Sequence, residues 1–185
     1  IYVKSIKIMD NRNQNISFYI RASQLQYLGF VNTNINNLRI SNSFNIQVLE
    51  IDNTILNITK LQELLNRTKF PKLNKITFTN LNSISNETAI KIPNNLTDII
   101  IRHVDFTVSF EDSNLNKLEH ILLENTKIKI PKPELLSSVS QEKLEFLYLN
   151  IRNDKHPELE DKLRALDSNV FIRTPGLNDN EKFFS

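Results

Sequence analysis

A short apolar pattern recurs along the chain and restricts the fold more than any other feature. Two variable residues separate its first apolar position from its second, and one separates the second from the third. The copies are Val3-x-x-Ile6-x-Ile8, Leu25-x-x-Leu28-x-Phe30, Ile46-x-x-Leu49-x-Ile51, Leu73-x-x-Ile76-x-Phe78, Leu96-x-x-Ile99-x-Ile101, Leu118-x-x-Ile121-x-Leu123 and Leu144-x-x-Leu147-x-Leu149, with a shorter eighth, Val170-x-Ile172. Between the middle residues 6, 28, 49, 76, 99, 121, 147 and 170 the steps are 22, 21, 27, 23, 22, 26 and 23. One match in a chain rich in Ile and Leu would mean nothing, but seven in register without a long gap mark a structural repeat. The end of each copy alternates apolar, variable, apolar, the period of a strand with one buried face. A lone strand of this kind cannot bury that face, whereas stacked copies share one core.

The residues that leave each strand repeat as well. Val31-Asn32-Thr33, Asp52-Asn53-Thr54 and Glu124-Asn125-Thr126 trail their strands at the same distance, and Pro71 and Pro93 fall just before later copies. Asn at the turn (Asn32, Asn53, Asn80, Asn125) stands in for glycine, of which the chain has only 2, with its side chain expected to bond local backbone. Taken together, the triplets and the trailing Asn-Thr resemble the leucine-rich repeat family across nearly the whole chain. The resemblance implies an α/β solenoid, a horseshoe with a parallel concave sheet and short helices or extended segments on the convex side. One family feature, an unbroken asparagine ladder, is not matched. The slot usually held by Asn or Cys carries Asn11, Thr33, Thr54, Leu81, Val104, Thr126 and Arg152. Residues 1–174 form the solenoid, read as truncated at its N-terminal side, and 175–185 form a tail.

The longer steps leave room for helices. Lys60–Arg67 sets Leu61, Leu64 and Leu65 on one face, residues 133–140 begin at Pro133, and residues 157–166 set Leu159, Leu163 and Leu166 on one face. The 21-residue step holds Ile35-x-x-Leu38-x-Ile40, expected to be extended. A doubly wound α/β domain fits poorly, because strands about 22 residues apart would each need a crossover helix.

Composition removes several classes of function. With 23 Lys+Arg against 21 Asp+Glu the charge is +2, too balanced to argue for nucleic acid or a membrane surface. No Cys is present, so disulfides, cysteine zinc sites and thiol nucleophiles are excluded, and so scarce a glycine supply excludes a phosphate-binding glycine loop. No run reaches the ~18 apolar residues of a membrane span. Five Asn-x-Ser/Thr sequons, at Asn15, Asn57, Asn66, Asn86 and Asn95, barely exceed the about 3.5 expected by chance from this composition. His103 and His120 fall near neighbouring repeats and read more simply as solvated residues than as a metal or acid–base pair. No cofactor and no enzymatic activity are expected.

Alternation supplies the candidate site. The residue between the last two apolars of each copy faces outward, and down the repeats that slot reads Lys7, Gly29, Glu50, Thr77, Ile100, Leu122, Tyr148, Phe171. The first four are polar or small and the last four large and apolar. Strands about 4.8 Å apart would make Ile100, Leu122, Tyr148 and Phe171 a stripe roughly 15 Å long. Arg102, Glu124, Asn150 and Arg173 flank it on one side, and Asp98, His120, Phe146 and Asn169 on the other. Such a stripe rimmed by polar groups suits a protein partner. The expected function is therefore polypeptide recognition, as the binding domain of an intracellular adaptor or an F-box-type ubiquitin-ligase receptor, cytoplasmic or nuclear, with further domains N-terminal to residue 1. The alternative is a secreted or surface-anchored microbial adhesion protein. Changing Ile121 to Asp should abolish the far-UV circular dichroism of the folded chain, since an unpaired charge on the inward face costs several kcal/mol; a cooperative melt near that of the wild type would show the register to be wrong.

Overall fold

The structure, a computed structural model, describes residues 3–12, 17–41, 44–66, 68–83, 89–93, 95–110, 117–129, 146–151 and 170–173, with side-chain surroundings given up to Thr126. In chain order the elements are β1 (Ser5–Met9), β2 (Tyr19–Arg21), β3 (Tyr27–Val31), β4 (Arg39–Ser41), β5 (Val48–Asp52), β6 (Ile55–Leu56), α1 (Ile58–Leu64) and β7 (Lys75–Thr79). They continue as β8 (Asn82–Ser83), β9 (Ala89–Lys91), β10 (Asp98–Arg102), β11 (Thr107–Ser109), β12 (His120–Lys129), β13 (Phe146–Ile151) and β14 (Val170–Arg173).

One strand from each repeat enters a long parallel sheet, in the order β1-β3-β5-β7-β10-β12-β13-β14. Its register aligns Ile6, Leu28, Leu49, Ile76, Ile99, Ile121, Leu147 and Val170, the middle residues of the eight sequence copies. Every coil of the chain therefore returns to one sheet a strand further on, which makes the fold a parallel β-solenoid. In the five triplets from Leu25 to Leu123 all fifteen apolar side chains are buried. Among the copies whose side chains are described, the first differs: Val3 is exposed, and Ile6 and Ile8 are partly buried against the core.

The outer side of each coil is mostly extended. Short parallel ladders join β2 to β4, β6 to β8, and β9 to β11 and the end of β12. Ile20, Leu56, Ile90 and Val108 from these ladders are buried in the same cluster as the long sheet's inward residues, so two strand layers close on one core. Ile35 and Leu38 are buried and the chain becomes a strand only at Arg39. Helix content is low. Among the described residues α1 is the one α-helix, at Ile58–Leu64 rather than the expected Lys60–Arg67. Asn57 explains the earlier start, because its side chain accepts a hydrogen bond from Thr59 N–H and Ile58 then joins Leu61 and Leu64 on the buried face. The expected helices over 133–140 and 157–166 lie outside the described residues, as does the 175–185 tail.

The first six repeats share one backbone state where the chain turns out of the long sheet. Asp10, Asn32, Asn53, Asn80, His103 and Asn125 all have positive φ, between 48° and 57°, and each stands four residues after the middle apolar of its copy. Asn and Asp tolerate this left-handed region because their short polar side chains offset its strain. The side chains of Asn32, Asn53 and Asn80 reach a neighbouring repeat rather than the local backbone expected. Asn32 donates to Asp10, Asn53 to Asn32 and Asn80 to Asp52, while Asn125 Nδ2 lies 3.0 Å from His103 Nδ1, so the turns are tied from repeat to repeat. In the next position Thr33, Thr54 and Thr126 are buried, and each hydroxyl donates to the carbonyl two residues back, at 2.8, 3.0 and 2.9 Å. Threonine thus satisfies a backbone carbonyl inside the turn, while Leu81 and Val104 fill the same slot with apolar bulk.

If positive φ is what selects Asn at the turn, Asn53→Gly should stay within about 0.5 kcal/mol of wild type in urea unfolding, whereas Asn53→Val should lose about 1–2 kcal/mol. Equal stability of the two variants would show that the backbone there is not held left-handed.

Candidate functional site

Across the long sheet the strand register aligns three rows of residues that alternate with the inward apolar positions, one residue per strand in each row. The middle row runs Lys7, Gly29, Glu50, Thr77, Ile100, Leu122, Tyr148, Phe171, each aligned with the next in the strand register. Its two halves differ in chemistry.

The N-terminal half is held by a polar network. Gly29 has no side chain, and a Cβ there would come within 2.6 Å of the Tyr27 hydroxyl. Through that gap the Tyr27 hydroxyl donates to Glu50 Oε2 at 2.6 Å, while Lys7 Nζ donates to Glu50 Oε1 at 2.9 Å, so three successive repeats are joined on one carboxylate. Burial pushes the Tyr27 phenol above its ordinary range, helped by its hydrogen bond to Glu50 and by the Glu50 charge. For Glu50, burial works against ionisation, but the hydrogen bonds from Tyr27 and Lys7 and the Lys7 charge together hold its carboxyl below the usual value. None of these contacts is legible from the apolar pattern. Gly29, a lone glycine in a slot otherwise filled by side chains, is the one signal pointing to it.

The C-terminal half begins at Ile100 and Leu122, neighbours in register and both half-buried. Tyr148 and Phe171 follow in the same row by register. On the strand-start side the row Lys75, Asp98, His120, Phe146 is aligned, with His120 Nδ1 3.0 Å and Lys75 Nζ 3.8 Å from Asp98 Oδ1. Thr97 donates to the other Asp98 oxygen at 2.6 Å. On the strand-end side Arg102 Nε lies 3.4 Å from Glu124 Oε2, and Asn150 and Arg173 continue that row. Asn169 lies outside the described residues, and for Phe146, Tyr148 and Phe171 the backbone alone is described.

The rim is thus charged but internally balanced next to the stripe. Exposed pairs of this kind add little stability, so their consequence is to keep the margin of an apolar strip hydrated and close to neutral. His103 and His120 sit at opposite ends of their strands, His103 beside Asn125 and His120 beside Asp98, so they do not act together. Among the described residues no group of three or more His, Asp or Glu is placed to hold a metal ion. Three of the sequon asparagines have structural duties: Asn57 caps α1, Asn66 accepts from the Thr68 N–H and hydroxyl, and Asn95 Nδ2 donates to the Leu73 carbonyl. Among the described residues no helix is long and apolar enough to cross a membrane. No protein-family model matches this chain, and no curated protein matches it either.

The polar network gives a pH dependence whose sign is set by the two shifts. A lowered Glu50 contributes stability above the ordinary carboxyl value of 4.5 and loses it as the pH falls through the folded-state value. A raised Tyr27 contributes below its ordinary value of 10.0 and loses that only at more alkaline pH. The difference in urea midpoint between wild type and Glu50→Gln should therefore be flat from about pH 5 to 9 and shrink as the solution is acidified further. A difference that persists unchanged to about pH 3 would mean Glu50 is not ionised in this network.

Proposed function

We propose that the chain is a leucine-rich-repeat recognition module that binds another polypeptide along the C-terminal half of its long sheet. The observation that carries this reading is the change of character in one aligned row: Lys7, Gly29, Glu50 and Thr77 give way to Ile100, Leu122, Tyr148 and Phe171. Solvent-facing sheet positions have no folding reason to be apolar when the same positions in the earlier repeats are polar, and four successive ones exceed the scattered apolar residues of an ordinary surface. Aromatic and aliphatic groups at the centre with Arg102, Glu124, His120 and Asp98 around them match the anatomy of a binding patch. The partner is a segment with apolar anchors spaced to reach neighbouring strands, about 4.8 Å apart. Extended repeat surfaces bind in this way without catalysis, which suits the recognition domain of an intracellular adaptor or an F-box-type receptor.

Panning a random peptide library on the purified protein tests this directly. Selected peptides should be enriched in apolar residues and should bind the double variant Ile100→Asp, Leu122→Asp at least about tenfold more weakly, with its melting temperature near wild type. Lys7→Gln, on the polar half, should bind them as wild type does. Peptides that bind the double variant equally well would refute the assignment, and loss of its folded spectrum would mean these side chains are core.

A further inference from the structure

A second site lies away from the apolar stripe, among the turns that close the first repeats. Arg12, Asn32, Asn34, Asn36, Asn53 and Ile55 line a cleft of about 200 Å³ there. That volume is below the 300–1,000 Å³ usual for drug-sized ligands, so it fits a small molecule or the terminal group of a larger one.

The hydrogen bonds of the lining determine what kind. Asn34 Oδ1 accepts from the Asn36 N–H at 3.0 Å, and Asn36 Oδ1 accepts from the Asn57 N–H at 2.9 Å. A backbone N–H can bond only to the oxygen of a side-chain amide, so both amides have their orientation set, with the NH2 ends left over. Those NH2 groups have no further partner among the described residues. Arg12 commits one nitrogen, Nη2, to Asn32 Oδ1 at 3.0 Å, which orients the guanidinium and leaves its remaining N–H groups available. Asn32 Oδ1 also accepts from Asn53 Nδ2, and Asn32 Nδ2 is spent on Asp10. The amide oxygens of Asn32, Asn34 and Asn36 are thus consumed inside the protein, whereas the Asn34 and Asn36 NH2 groups and most of the Arg12 N–H groups are not. Its lining holds one cation and no carboxylate; Asp10, outside the lining, is already bonded by Asn32.

We propose that this cleft binds a small oxyanion, a carboxylate or phosphate group, with the Arg12 guanidinium as the charged donor and the Asn34 and Asn36 amides as neutral ones. A ligand that only accepts hydrogen bonds uses all three, and charge-assisted bonds from arginine to such groups are roughly twice as strong as neutral ones. The site is independent of the apolar stripe, which belongs to later repeats and to the sheet's solvent face.

Side-chain NH2 resonances report on it directly. Sodium phosphate and sodium acetate should be titrated separately into the 15N-labelled protein, with sodium chloride keeping the ionic strength constant. Saturable shifts of the Asn34 and Asn36 NH2 signals are expected with at least one of the two. Saturation by phosphate alone identifies a phosphoryl ligand, and saturation by acetate as well identifies a carboxylate. Arg12→Gln should weaken binding about tenfold or more with its amide spectrum otherwise preserved, and Arg12→Lys should fall between, since charge is kept and the planar fork lost. Shifts that stay linear up to about 50 mM, or an Arg12→Gln titration matching wild type, would overturn the proposal.

Discussion

One backbone hydrogen bond, repeated at five successive turns, holds this solenoid in register. The N–H of the left-handed residue that follows a strand donates to the carbonyl just before the equivalent turn of the next repeat: Asp10 to Val31, Asn32 to Asp52, Asn53 to Thr79, Asn80 to Arg102 and His103 to Glu124, all between 2.9 and 3.1 Å. The chain can leave the sheet there only by adopting positive φ, so a turn residue that tolerates it keeps the parallel ladder intact to its end. At the other end of each strand a single carbonyl accepts two successive N–H groups from the next repeat, as Gln26 does from Gln47 and Val48, and Gln47 from Asn74 and Lys75. Both ends are therefore fixed. A slip of one residue would exchange the inward Leu and Ile for the outward Lys, Glu and Thr.

Fixed register makes the solvent face a set of straight rows, which is why its division into halves carries meaning. In the polar half, Lys7, Tyr27 and Glu50 brace repeats where the outermost strand, β1, is only partly covered. In the other half the same row turns apolar, and the flanking rows pair their own charges. Beside the turns that hold the register, Asn34 and Asn36 spend their oxygens on backbone N–H groups, and their NH2 groups with Arg12 give that edge its donor character. Architecture, apolar row and donor-lined cleft thus share one cause.

The strand positions were legible in the sequence because a period of two within a period of about 22 is a packing requirement that few other folds impose. The positive-φ turns were legible for a related reason: Asn32, Asn53, Asn80 and Asn125 occupy the position where glycine would be expected. The outer elements were less so. Pairs of two or three residues, such as β6 with β8, leave no periodicity to detect, and α1 starts where Asn57 caps it rather than where its leucines begin to repeat. The sheet's apolar row came from alternation, but the Lys7–Tyr27–Glu50 network did not. It depends on residues 20 or more apart meeting over a missing side chain at Gly29, which no local pattern encodes. The donor-lined cleft was hidden likewise, since asparagine counts do not reveal which amide oxygens are already used.

Amide hydrogen exchange at the turn residues tests the register most directly. If Asn32, Asn53, Asn80 and His103 each donate into the next repeat, their amides should be protected to about the same degree as Leu49, Ile76 and Ile99 at the strand centres. Exchange at the rate of exposed turns, with protection confined to the strand centres, would contradict the stacked ladder and the solvent-face rows built on it.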